Sequence, residues 1–339
     1  MGAPHLLVVQ TGFLGDVILS SPVWNNLQTI YPSAKLSVLT TPAAVDLVRF
    51  HPAVTETIAF DKRAADRGIS GLRRVAEKLR ERKFDVVFSL HKSWRTALLL
   101  KMTGIPERFG FREAAGRLCY TRTVSRKKYA HEVLRNLAIL EAVGRDPSSL
   151  DQRLRLELPT ESQSVAESLL SDVVSKPLIG IAPGSVWPTK RWTISGFATL
   201  ARSFIAKGYG VVIIGGAEDV EVAAMVTEQS GGALNLVGRT SLVTSAAVIA
   251  KLRVLVTNDS APMHIASAMG IPIVGVYCAT IPEFGYTPWQ VRSECVGLDT
   301  LVCRPCGRHG PKRCPTGTNA CQEQLSPHAV IDATLRVLH

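Results

Sequence analysis

The stretch Val254-Leu255-Val256-Thr257-Asn258-Asp259-Ser260-Ala261-Pro262-Met263-His264 decides how the rest of the chain is read. Its first four residues have the apolar, β-branched character of a strand buried on both faces. Asp259, Ser260 and Pro262 then suit a helix start, with a capping side chain first and Pro in the opening turn. Met263 to Met269 continues as a helix of small residues that Gly270 stops, and Ile271 to Tyr277 opens the next strand. Strand, polar elbow, helix and strand make a βαβ unit, whose ligand site lies at the elbow. The first N–H groups of such a helix are unsatisfied and lie at the positive end of its dipole, which favours an anion. An ordinary capped helix without a ligand has the same pattern, so the remainder of the chain has to decide.

The N-terminal half alternates in the same way. Strands are predicted at 6–10, 36–40, 57–60, 84–90 and 108–111, and helices at 17–30, 43–50, 71–82, 94–102 and 131–143. Such alternation implies a parallel sheet with helices on both faces. A polar stretch, 144–177, contains one helical segment near 162–170. Alternation then restarts with a strand at 178–182, a helix at 193–206, a strand at 210–214 and a helix at 220–228 before the Val254 unit. A Cys-, Gly- and Pro-rich loop follows, and 327–338 reads as a closing helix. The 339 residues are long for one domain. The predicted fold is α/β, with two doubly wound Rossmann-like domains facing each other across a cleft. The predicted bounds are 1–160 and 175–325, with 326–339 packing back toward the N-terminal domain.

Charge is unevenly divided. Residues 1–150 hold 23 Lys and Arg against 13 Asp and Glu, a net of +10, whereas 151–339 hold 16 against 15, a net of +1. A basic half implies a polyanionic partner: nucleic acid, an anionic membrane surface or a charged substrate. Aromatic residues are only 6% and do not interleave with the basic ones, which argues against nucleic acid. No apolar run is long enough to span a bilayer. The N-terminus lacks the basic segment and cleavage site of a signal peptide, so a cytoplasmic protein with reduced thiols is expected.

Several segments carry chemistry. The first strand runs into Thr11-Gly12-Phe13-Leu14-Gly15-Asp16, which is not a dinucleotide fingerprint. Asp16 is readable as a first-turn acid favoured by the helix dipole, or as a general base. In Ala182-Pro183-Gly184-Ser185-Val186-Trp187-Pro188-Thr189-Lys190-Arg191-Trp192, two cations precede a helix at a strand end. They suit a pyrophosphate, or are simply a solvated basic loop. Gly215-Gly216-Ala217-Glu218-Asp219 places glycines for close approach and Glu218 for ribose hydroxyls, while Asp219 fits a first-turn acid. No D-x-D pair is present to hold a divalent ion, so metal-free catalysis is expected. Cys303, Cys306, Cys314 and Cys321 put four of the seven Cys within nineteen residues. A tetrahedral structural metal and free thiols are both compatible with that spacing.

Gly12-x2-Gly15-Asp16, the Ala182 to Trp192 segment, Gly215-Gly216-x-Glu218 and Asn258-Asp259-Ser260-x3-His264 occur in that order. Together they resemble the lipopolysaccharide heptosyltransferases of glycosyltransferase family 9, and the Cys loop resembles the heptosyltransferase II branch. The resemblance spans essentially the whole chain. It implies a GT-B fold and inverting transfer of L-glycero-D-manno-heptose from ADP-heptose to the heptose of a Kdo-lipid A inner core, with no cofactor required for catalysis. Asp16 would be the base and Lys190 would neutralise the departing pyrophosphate. Gly15, Ser185 and Thr189 would lie beside the donor, Glu218 would hold the ribose, and Asp259 the sugar. Ser260 and Ala261 would offer N–H groups to phosphate, and His264 would line the same site. Family members commonly carry Gly where Ala261 stands, which puts that phosphate contact in question. The basic half would meet the anionic acceptor through Lys62, Arg63, Lys92, Arg95, Arg112 and Arg117, and Arg126-Lys127-Lys128 would touch the cytoplasmic face of the inner membrane, making the enzyme peripheral. The alternatives are a heptosyltransferase I or III, a related nucleotide-sugar transferase, a basic nucleic-acid-binding module and a catalytically idle partner protein.

Overall fold

The structure, a computed structural model, describes residues 3–339. It divides into two compact units between Glu157 and Leu158. The first contains β1 (His5–Gln10), α1 (Leu14–Ile18), α2 (Ser21–Ile30), β2 (Lys35–Thr40), α3 (Val45–Arg49) and β3 (Glu56–Ala59). It continues with α4 (Gly68–Glu81), β4 (Val86–Ser89), α5 (Trp94–Thr103), β5 (Glu107–Phe111), β6 (Arg122–Val124) and α6 (Glu132–Leu137). The sheet is parallel, in the order β3-β2-β1-β4-β5-β6. Its central strand is covered on both faces, so Leu6 to Val9 are all buried.

The second unit holds α7 (Thr160–Leu170), β7 (Leu178–Ala182), α8 (Ile194–Ala206), β8 (Gly210–Ile213), α9 (Val220–Ser230), β9 (Leu234–Asn235) and α10 (Leu242–Ile249). It ends with β10 (Val254–Asn258), α11 (Ala261–Ala268), β11 (Ile273–Tyr277), β12 (Ser293–Gly297), α12 (Ala320–Glu323) and α13 (Pro327–Leu338). Its parallel sheet, β12-β11-β10-β7-β8-β9, repeats the strand permutation of the first. In each sheet the winding reverses beside the first strand, between β1 and β4 and between β7 and β10. Ligands of open α/β sheets bind at such switch points, outside the carboxyl ends of the strands.

Two sequence expectations change here. The helix expected at 17–30 is broken, because the Ser20 hydroxyl turns back to the Val17 carbonyl at 2.6 Å and Pro22 opens a new helix. The terminal helix, expected to pack toward the N-terminal domain, uses its apolar face in the second unit instead. Val330, Ala333 and Val337 are buried there in one core with Phe197, Phe204 and Val274. Among the described residues no helix is long and apolar enough to cross a membrane.

Candidate active site

In the first unit β1 ends at the switch point, and the chain turns into α1. Asp16 is the third residue of that helix, and its Oδ2 accepts the Phe13 N–H at 3.0 Å. The turn needs Gly12, since a Cβ there would lie 2.7 Å from Asp16 Oδ2. Asp16 is therefore a first-turn acid, and that does not exhaust the residue. Burial above all, then the Glu132 carboxylate, push its pKa up to about 6, against the Phe13 N–H, Arg126 and Lys92. An acid tuned toward neutrality at a ligand-binding edge is placed to take up a proton.

Behind Asp16 lies a buried ion pair of which the sequence marks only Arg126, and for another role. Arg126 and Glu132 form an ion pair with both side chains about 5% exposed, and Arg126 also stacks over Phe111 at 4.9 Å. Arg126, expected to meet a membrane with Lys127 and Lys128, is thereby withdrawn from the surface. An unpaired buried guanidinium would be far more costly than this pairing. Lys128 is paired with Glu141 at 2.8 Å.

Five of the six cations assigned to an acceptor come from the loops after β3, β4 and β5, and Arg95 from the first turn of α5, on the edge that carries Asp16. Arg63, Arg112 and Arg117 are exposed. Lys62 is turned inward onto the Thr11 carbonyl and hydroxyl, and Arg95 donates to the Asp66 carbonyl at 2.9 Å. Lys92 is half-buried and lies within electrostatic reach of Asp16.

In the second unit the β7 and β10 loops lie side by side at the switch point. Lys190 Nζ donates to Asp259 Oδ2 at 2.6 Å, and the Thr280 hydroxyl donates to the same oxygen at 2.7 Å. Both ends of the ion pair are about 10% exposed. Asn258, wholly buried, ties the two loops together. Its Oδ1 accepts the Trp192 N–H at 2.9 Å and its Nδ2 donates to the Pro183 carbonyl at 2.8 Å. Ser260 caps α11 without a side-chain hydrogen bond to it, and Ala261 and Pro262 form the first turn. His264 is buried one turn further on, 6.5 Å from the Tyr286 ring.

Other donor expectations are placed less directly. Ser185 is buried and its hydroxyl takes the Trp187 N–H at 3.3 Å. The Thr189 hydroxyl is committed to the Pro311 carbonyl at 2.6 Å, so it anchors the turn. Glu218 is exposed, whereas Asp219 is buried against Gly184, where a Cβ would lie 2.1 Å from the carboxylate. Gly15 lies in the first turn of α1.

The sequence leaves the cysteine loop open between a structural metal and free thiols. Among the described residues no three His, Cys, Asp or Glu side chains gather to hold an ion. Cys303, Cys306, Cys314 and Cys321 are free thiols. The Cys306 thiol faces the Cys303 carbonyl at 3.2 Å, Cys314 faces the Thr316 hydroxyl at 3.3 Å, and Cys321 is buried in the core. The loop braces the Lys190 turn. Besides Pro311, Gln322 Nε2 donates to the Pro188 carbonyl at 2.9 Å, and His309 stacks with Trp187 at 6.4 Å. Arg304 fixes the loop to the end of β11 through the Tyr277 and Thr280 carbonyls, at 3.0 and 2.9 Å.

Comparison with known proteins identifies the family and the fold. The sequence profile of glycosyltransferase family 9 (heptosyltransferase) matches residues 72–314. The chain is 32% identical over 292 residues to lipopolysaccharide heptosyltransferase 2 of Escherichia coli K12, covering 82% of this chain and 84% of that protein. A glycosyl transferase family 9 structure from Veillonella parvula superposes with a TM-score of 0.88 at 28% identity, over 100% of this chain and 98% of that one. The ADP-heptose LPS heptosyltransferase II structure from Escherichia coli gives 0.81 at 27% identity, over 98% of both chains. The fold is GT-B, and the chain belongs to glycosyltransferase family 9, the heptosyltransferases.

Proposed function

We propose that this enzyme transfers L-glycero-D-manno-heptose from ADP-heptose to the heptose of a Kdo-lipid A inner core, with inversion, as a peripheral protein at the cytoplasmic face of the inner membrane. The observation that carries the reading is Asp16, a carboxylate at the β1 switch point with a pKa near 6. The acceptor hydroxyl attacks C1 of the sugar from the face opposite ADP as Asp16 accepts its proton. Lys190 and the N-terminus of α11 stabilise the charge that grows on the departing diphosphate. Lys190 is paired with Asp259, so donor binding has to divide that ammonium between carboxylate and phosphate. Glu218, exposed beside Gly216, is assigned to the ribose, and Asp259 with His264 to the sugar end. This assignment draws on the likeness to heptosyltransferase 2 proteins.

The test is mass-spectrometric. Purified enzyme is given ADP-heptose with Kdo-lipid A that either carries one heptose or carries none. Gain of one heptose on the first acceptor alone supports the reading. Gain on the heptose-free acceptor alone makes the enzyme a heptosyltransferase I. Turnover of UDP- or GDP-sugars in preference to ADP-heptose rejects the donor assignment.

A further inference from the structure

Three loops at the C-terminal edge of the first sheet leave large apolar side chains in solvent. Ile69 at the start of α4 is 66% exposed, Trp94 at the start of α5 is 59% exposed, and Leu118 in the turn after β5 is 91% exposed. Single exposed apolar residues are ordinary, and a group of them is not. Hydrogen bonds and close packing join these loops. The Arg95 guanidinium donates to the Asp66 and Gly68 carbonyls at 2.9 and 3.4 Å, which fastens the start of α5 to the start of α4. The Ala115 N–H donates to the Lys92 carbonyl at 3.1 Å. Gly116 lies so close to α5 that a Cβ would stand 2.4 Å from Ala97 Cβ and 3.3 Å from Trp94 Cα.

The charge around this trio is net positive. Arg63, Arg67, Arg112 and Arg117 are exposed on the same loops. The acids on these loops are engaged in local hydrogen bonds and an ion pair. Asp61 accepts the N–H groups of Arg63 and Ala64 at 3.2 and 3.0 Å. Asp66 takes the Asp61 N–H at 3.0 Å and pairs with Arg74 at 3.2 Å. Glu113 takes the Ser125 hydroxyl at 2.8 Å.

We infer that the loops 62–69, 92–95 and 112–118 form a docking face for an anionic lipid bilayer. A tryptophan ring prefers the headgroup level, aliphatic tips enter the acyl boundary, and arginines around them meet lipid phosphates. A nucleic acid would engage the arginines and leave Leu118 and Ile69 unexplained. The face lies on the edge that carries Asp16, so a lipid-anchored acceptor can present its sugar to that edge while its acyl chains stay in the bilayer. This consequence rests on the proposed function, whereas the docking face itself does not.

The experiment is flotation of the full-length protein with vesicles of phosphatidylcholine alone or mixed with phosphatidylglycerol. It compares wild type, the double variant Trp94→Ser/Leu118→Ser and the rescue variant Trp94→Phe, with far-UV dichroism confirming that each is folded. Wild type is expected to bind the anionic vesicles, the double variant to bind them about tenfold or more weakly, and Trp94→Phe to bind like wild type. Transfer to a deacylated, soluble acceptor is expected to be equal in all three. Wild type that ignores anionic vesicles, or a double variant that binds them as wild type does, overturns the inference. Failure of wild type to modify the soluble acceptor instead overturns the proposed function, and leaves the vesicle result to stand on its own.

Discussion

The proposed chemistry turns on Asp16 and Lys190, and the two are poised differently. Asp16 has a raised pKa, so its ionised form is disfavoured in the folded state. The resulting destabilisation is absent below the ordinary carboxyl value of 3.8 and complete above about 6. Asp16→Asn removes that burden and is expected to melt no lower than wild type at pH 8, while ADP affinity by calorimetry stays unchanged. Lys190 is one half of a buried ion pair, and its loss strands Asp259 with the Thr280 hydroxyl as its remaining partner. Lys190→Ala is expected to weaken ADP binding by roughly 10- to 100-fold, the range for a lost hydrogen bond to a charged group. It should also lower Tm. Undiminished ADP affinity would remove Lys190 from the donor site.

At the scale of elements, the long, strongly patterned segments were legible in the sequence. The strand, elbow and helix at 254–269 are where the pattern placed them, as are β1, β2, β7, α5 and α8 to within a residue or two. The short elements were not: β6 has three residues and β9 two, too few for any periodicity to register. The candidate site was legible only in its charged and glycine positions. Thr280, Glu132 and Gln322 act through contacts with residues 21 to 134 positions away, and nothing local marks them; Asn258 stands in the quoted motif, but the partner that gives it work is 66 positions away. Asn258 gives the sharpest test of element docking. Asn258→Ala leaves the Trp192 N–H and the Pro183 carbonyl unpaired in the interior, and is expected to cost about 1–3 kcal/mol in thermal or denaturant unfolding. The same variant should weaken ADP binding, because Trp192 follows Lys190 and Arg191 directly. Gly184→Ala drives a methyl group into the Asp219 carboxylate and should lower both stability and nucleotide affinity.

For the whole molecule, both units repeat one strand order around their own switch points, and the proposed function assigns different work to each. The excess of positive charge belongs to the first 150 residues, which hold Asp16, the exposed arginines and the apolar trio. Every residue assigned to the donor except Gly15 lies in the second unit, which has its own core. Residues 158–339 expressed alone are therefore expected to bind ADP, measured by calorimetry, without transferring heptose. The most direct test of the account is the pH dependence of kcat/KM for heptose transfer by wild type and Asp16→Asn. The expected wild-type profile falls on the acid side with a pKa of about 6, and Asp16→Asn is slower by about 10²- to 10⁴-fold with that limb gone. A variant within tenfold of wild type, or one that keeps the acid limb, would contradict Asp16 as the base.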